Sequence, residues 1–202
     1  MKKRLYGLSF LLLLAVALPG FLAGGIDIND TKLLSQPAIS KDHIAFYYAG
    51  DLWVANIDGT GVRRLTSAQG DESDPAFSPD GKMIAFSGEY DGNTDVFVVP
   101  VEGGIPKRLT WHPGADVVRE FTPCGSAVLF ASSRNSFTYS YSQLFTVSLE
   151  GGFPESLKIP TANRATFSPD GKRMAYTPLR EAFQQWKNYR GGRVSEVWLL
   201  TF

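Results

Sequence analysis

The chain has 202 residues with 20 basic and 20 acidic side chains, and this zero formal charge excludes the basic face expected of a nucleic-acid binder. Its single cysteine, Cys124, excludes an intrachain disulfide, so any exported form must be held together by its core. An aromatic content of 13% together with 20 glycines and 12 prolines points away from a helical protein and toward short strands joined by tight turns.

Residues 1–25 read as a secretory signal peptide and stand apart from the fold. Lys2, Lys3 and Arg4 form a positive start, and an apolar run follows from Leu5 to Leu18. Ala23-Gly24-Gly25 offers small residues for cleavage, which makes Ile26 the expected mature start. The apolar run is shorter than the ~20 residues a spanning helix needs. An uncleaved anchor is the alternative, and both readings place residues 26–202 outside the cytoplasm, periplasmic or secreted.

From residue 34 onward one unit recurs. Pro37-Ala-Ile-Ser-Lys-Asp-His-Ile-Ala-Phe46 matches Pro75-Ala-Phe-Ser-Pro-Asp-Gly-Lys-Met-Ile-Ala-Phe86. The pattern returns from Arg119 to Phe130 and from Ala165 to Tyr176, so the closing aromatics recur about every 40–46 residues. A second landmark follows each: Asp51-Leu-Trp53-Val, Asp95-Val-Phe97-Val, Gln143-Leu-Phe145-Thr and Glu196-Val-Trp198-Leu. Within a unit, Ala-Phe-Ser is a short strand and Pro-Asp-Gly-Lys a turn. Proline presets φ there, aspartate bonds back to nearby amides, and glycine takes the positive-φ position. The next strand, Met-Ile-Ala-Phe, is apolar on both faces, and a third alternates. A Gly-containing turn then leads to a short outer strand ending Arg-Leu-Thr.

A four-stranded meander of this kind cannot cover both of its faces and must pack against copies of itself. The period predicts an all-β fold: a β-propeller of four-stranded antiparallel blades. The expected organisation is a signal peptide at 1–25 and a propeller domain at 26–202, with blades at 34–72, 73–117, 118–160 and 161–202. The last blade stops inside its third strand, which predicts an incomplete propeller, expected to be six-bladed.

The Phe-Ser-Pro-Asp-Gly-Lys turns at Phe77 to Lys82 and Phe167 to Lys172 resemble the PD-type repeats of TolB-like propellers, prolyl oligopeptidase relatives and tricorn proteases. Three longer stretches resemble the first propeller of bacterial tricorn-type serine proteases in particular. They run from Glu89 to Gly104, from Lys107 to Gly114, and along Phe183-Gln-Gln-Trp186-Lys187-Asn-Tyr189-Arg190-Gly-Gly192. The resemblance implies a hydrolase parent that joins two propellers to a PDZ-like module and a serine-peptidase core. Such propellers are thought to channel oligopeptides. It also implies that the catalytic residues lie C-terminal to the matched region, so none carries over. A stand-alone TolB-like module that binds a protein or peptide is the alternative.

A direct search for chemistry agrees. No Gly-x-Ser-x-Gly run occurs, and only His43 and His112 are available as a histidine base. No catalytic, cofactor-binding or metal site is therefore expected. Asp91-Gly-Asn-Thr-Asp95 with Glu102 superficially follows a calcium-loop spacing, but Val96 stands where that loop needs glycine, and the segment reads as a polar hairpin. His43 and Cys124 read as turn residues. Arg63-Arg64 and Lys107-Arg108 read as solvated charges on outer strands, and the aromatics Trp53, Phe97, Phe145 and Trp198 as packing between blades. His112, in Thr-Trp-His-Pro-Gly, reads as packing in a connection between blades, with a peptide contact as its alternative. Residues 183–193 interrupt the fourth unit, and their Trp186, Lys187, Tyr189 and Arg190 are the further candidates for contacting a peptide, the basic pair suiting a carboxylate. Docking of this insertion on a neighbouring domain is the competing reading. The expected partners are an oligopeptide or protein, and the downstream domains of the parent, with homo-oligomerisation left open.

Overall fold

The computed structural model describes residues 33–136, 141–180, 191, 192, 194 and 196–202. The expected signal peptide, and the expected peptide contacts Trp186, Lys187, Tyr189 and Arg190, lie outside the described residues.

The described residues build four antiparallel sheets in chain order. The first contains β1 (Ser35–Ile39), β2 (His43–Tyr48), β3 (Asp51–Asn56) and β4 (Arg63–Arg64). The second contains β5 (Glu72–Phe77), β6 (Met83–Tyr90), β7 (Asn93–Pro100) and β8 (Lys107–Arg108). The third contains β9 (Asp116–Phe121), β10 (Ala127–Ser132), β11 (Gln143–Ser148) and β12 (Glu155–Ser156), and the fourth β13 (Arg164–Phe167), β14 (Arg173–Thr177) and β15 (Trp198–Thr201). Each sheet pairs its strands in sequence order, the meander that the repeat predicts.

The turns form for the reasons their residues suggest. Ser78 Oγ donates to Asp80 Oδ1 at 2.6 Å, the Lys82 amide donates to the same oxygen at 3.1 Å, and Gly81 follows with φ 71°. Ser168, Asp170 and Gly171 repeat the arrangement. In the third sheet Cys124 takes the aspartate's place, with its Sγ 3.0 Å from Ser126 Oγ and 3.4 Å from Thr122 Oγ1. These contacts, Ser126 first, bring its thiol down to a pKa of about 7.

Burial follows the two-residue period of the strands. In β6, Ile84 and Phe86 pack toward the first sheet with Leu52, Val54, Phe97 and Val99, while Ala85 packs toward the third. In β10, Val128 and Phe130 join Val96, Val98 and Phe145 against the second sheet, whereas Leu129 and Ala131 face Met174 of the fourth. Each middle sheet therefore contributes to two cores at once, as blades of a propeller do. Phe97 and Phe145 are buried and stack on Phe86 and Phe130 with centroids 5.6 and 5.7 Å apart. Trp53 is half-buried and Trp198 exposed, so the recurring aromatic is packed tightly only in the two middle sheets.

Two other readings are corrected. His43 opens β2, half-buried and opposite Asn56, with its amide bonded by Ser40 Oγ at 3.0 Å; the shorter loop of the first unit draws the strand start back onto it. Arg64 and Arg108 are not simply solvated edge charges. Arg64 Nη2 donates to Asp51 Oδ1 at 2.7 Å and Arg108 Nη2 to Asp95 Oδ2 at 2.5 Å, and Asp95 is almost fully buried. The threonine of each Arg-Leu-Thr completes the clasp: Thr66 Oγ1 accepts from the Leu52 amide at 2.9 Å, and Thr110 Oγ1 from the Val96 amide at 3.0 Å. A two-residue outer strand has too few ladder bonds to hold itself, and these side chains supply the rest.

Candidate functional site

The inner strands β1, β5, β9 and β13 converge on a polar cavity of about 400 Å³. Its walls are shaped by irregularities in those strands. In β1 the pairing runs from Ser35↔Tyr47 to Ala38↔Ala45, which bulges Gln36-Pro37; in β5 it runs from Ser73↔Ser87 to Ala76↔Ala85, which bulges Asp74-Pro75. Proline has no N–H to give to a ladder, so a bulge is where an inner strand tolerates it. Gln36 and Asp74 adopt φ of 51° and 50°, the left-handed region that costs a non-glycine residue of order 1 kcal/mol or more. The pairing of β9 shifts between Leu129 and Phe130 and makes Arg119 its extra residue, while β13 pairs without a shift and presents Arg164 and Ala165.

Hydrogen bonds join the sheets around this cavity. The Asp74 amide donates to Gln36 Oε1 at 2.5 Å. Asp74 Oδ2 accepts from Ser73 Oγ at 3.0 Å and from Ser87 Oγ at 3.4 Å, and Ser87 Oγ in turn accepts from the Val118 amide at 2.9 Å. Arg119 donates through Nε to the Asn163 carbonyl at 2.5 Å and through Nη1 to the Val118 carbonyl at 3.1 Å, while its ion pair with Asp74 is long, at 3.9 Å. Glu120 accepts from Thr166 Oγ1 at 2.9 Å and from the Phe167 amide. Burial pushes the Arg119 guanidinium below its ordinary range; Asp74 opposes that shift, and Arg164 and Arg180 reinforce it.

A second cavity, of about 540 Å³, lies between the first two sheets beside Gly50, Asp51, Arg64, Asp71 and Glu89. Its carboxylates are partly committed: Asp51 to Arg64, and Asp71 to the Tyr47 hydroxyl at 3.4 Å. The hairpin with calcium-like spacing turns at Asp91-Gly92, with φ of 56° and 78°, and Asp95 is occupied by Arg108 and Thr110. Among the described residues no cluster of three or more His, Cys, Asp or Glu could hold a metal ion.

His112 is half-buried in the connection between β8 and β9. Its Nδ1 accepts from the Gly114 amide at 2.9 Å and its carbonyl accepts from Asn93 Nδ2 at 2.5 Å, so it ties that connection to the β6–β7 hairpin and does not line the axial cavity. The residues that do line it, Gln36, Asp74, Arg119 and Arg164, were not singled out by motif. The available signal was a polar residue just ahead of the inner-strand proline in two units, Gln36-Pro37 and Asp74-Pro75.

Residues 31–202 match the model of the tricorn protease N-terminal beta propeller domain. The chain belongs to that family. It is 32% identical over 157 residues to tricorn protease homolog 1 of Streptomyces coelicolor, covering 77% of this chain and 14% of that protein. It superposes on the crystal structure of the tricorn protease with a TM-score of 0.71 at 27% identity, covering 83% of this chain and 17% of that one. The Tol-Pal system protein TolB of Francisella tularensis subsp. mediasiatica is 30% identical over 155 residues, covering 71% of this chain and 34% of TolB. The tricorn-family propeller described here thus spans about a seventh of the length of the tricorn homologue.

Proposed function

We propose that this chain is the non-catalytic propeller portion of an exported tricorn-type serine peptidase that degrades oligopeptides, and that it serves as scaffold and peptide channel around the axial cavity. The observation that carries the reading is the convergence of four inner strands on a polar cavity walled by Asp74, Arg119 and Arg164, in a chain of the tricorn family. The positively charged start, the apolar run and the small residues ahead of Ile26 support export. The peptidase and PDZ-like domains belong to the proposed parent, as does any self-association. Trp186, Lys187, Tyr189 and Arg190, in the sequence insertion of the fourth unit, are further proposed peptide contacts, as is His112 at the β8–β9 connection, away from the cavity.

Incubating the full chain with an oligopeptide that carries a photoreactive side chain tests this. Cross-links should map to the inner strands, with no cleavage of the peptide by the chain alone. Cross-links confined to β4, β8 and β12 would overturn the channel. The identity to TolB favours a second reading, a stand-alone propeller that binds a folded protein; a chain that captures intact proteins while ignoring short peptides would establish it.

A further inference from the structure

The geometry points to a carboxylate-binding site in the axial cavity, with Arg119 and Arg164 as its cationic walls and Asp74 as a built-in competitor for them. Three features of the cavity converge on this. The first is charge. Arg119 and Arg164 face a single carboxylate, Asp74, across the cavity, and an arginine keeps its proton at any ordinary pH. The two acceptors that hold Arg119, the carbonyls of Asn163 and Val118, orient the guanidinium without neutralising it. Asp74 stands 3.9 Å away, too far for a charge-assisted hydrogen bond, and Arg164 is exposed and makes no ion pair among the described residues. The repulsion Arg119 experiences from Arg164 and Arg180 marks an excess of positive charge that a bound anion would relieve.

The second feature is preorganisation. Pro37 and Pro75 stiffen two walls, and Gln36 and Asp74 hold left-handed conformations that the surrounding structure must maintain against their cost. Two of the six non-glycine residues with left-handed φ among the described residues thus sit on this one cavity. The third is size. A volume of about 400 Å³ takes the end of a peptide or one acidic side chain, and excludes a folded domain. Arginine's planar fork matches the two oxygens of a carboxylate.

The ligand's identity as a peptide rests on the channel reading above; the affinity for a carboxylate does not. Calorimetric titration of the full chain separates the two, with four probes: acetate, an acetylated trialanine with a free carboxylate, the same peptide amidated, and an amidated peptide with a central glutamate. The free-acid or glutamate peptide should bind, the neutral amide should not, and affinity should fall with added salt. The winner of the two charged peptides identifies the source of the carboxylate. Arg164→Gln should weaken binding about fivefold, a fold-change suited to an exposed charge and one that leaves the packed sheets untouched. Asp74→Asn, which keeps tolerance of the left-handed conformation, should tighten it about fivefold by removing the competitor.

Equal binding of amidated and free peptides, or affinities unmoved by both substitutions, overturns the carboxylate site while leaving peptide handling intact. Acetate binding that responds to both substitutions, with no binding of any peptide, upholds the site and overturns the peptide. Silence from all four probes overturns both.

Discussion

The junction between the first and second sheets and the junction between the second and third use the same positions and differ in charge. At the first, Asp51 has Arg64, whereas Glu72 makes no ion pair among the described residues and accepts from the Tyr90 hydroxyl through Oε1 at 2.5 Å. At the second, Asp95 has Arg108, and Asp116 has Arg134 at 2.6 Å, where Tyr90's equivalent is an arginine that also lies over the Phe130 and Phe145 rings. Two acids with two guanidiniums make a balanced node; two acids with one guanidinium and a phenol do not. The shortfall appears on Glu72, whose carboxyl is pushed up by burial, with help from Asp51 and against the hydrogen bonds of Tyr90 and Thr66. At the third junction Gln143 and Ala162 stand where the others have acids and Ser156 where they have arginine, while Lys158 replaces the threonine and Arg180 takes the place of Tyr90 and Arg134, so this node has no acid at all. One backbone plan thus accommodates charge-balanced, acid-rich and acid-free versions of the same joint.

The largest way to break the comparison is Asp116→Ala, which strands the Arg134 guanidinium, only 14% exposed, and should cost about 3–5 kcal/mol in urea unfolding. Asp51→Ala, which leaves behind an Arg64 side chain 46% exposed, should cost no more than about 1 kcal/mol. Equal losses would show that the two nodes are energetically alike.

Glu72→Gln sharpens the contrast through pH. Folding keeps the proton on Glu72, so the unfolded chain ionises first as pH rises. Its favourable contribution is therefore complete below about pH 4.3 and declines above it until the folded carboxyl itself titrates. The variant should gain urea midpoint over the parent at neutral pH and lose the advantage near pH 4; a pH-independent difference would contradict an acid-rich joint.

A smaller test compares two turns of the same type. Asp91-Gly92 and Ala49-Gly50 both place two positive-φ residues between paired strands, but alanine lacks the polar side chain that eases the left-handed conformation. Ala49→Asn should stabilise by about 0.5–1 kcal/mol, read as a rise in thermal midpoint. The smallest effect lies in the turn where cysteine replaces aspartate: Cys124 should alkylate with iodoacetamide along a pH curve centred at about 7, and a curve centred near an ordinary thiol's ~8.5 would remove the role of Ser126 and Thr122.

Propeller architecture was legible because it is written in a long-period repeat. Phe86 and Phe130, or Asp80 and Asp170, recur at one place and do one job in each unit. The axial cavity was not, because its residues break the repeat: Gln36, Asp74, Val118 and Arg164 share a place in the alignment but no chemistry. A bulge that turns Asp74 toward its neighbours depends on strand pairing, which residue identity alone does not reveal. Arg64 and Arg108 were misread for a related reason. A basic residue on a short outer strand looks solvated until the chain brings Asp51 or Asp95, thirteen positions earlier, beneath it.

The alternation along β6 and β10 carries a consequence for how such a chain can evolve. Because Ile84 and Phe86 serve one neighbour and Ala85 the other, deleting a single residue from the middle of β6 would hand each neighbour the side chains meant for its rival. Large rings would meet a gap sized for a methyl group on one flank, and a hole would open on the other. Length changes are therefore better tolerated in linkers and hairpin tips than inside a central strand.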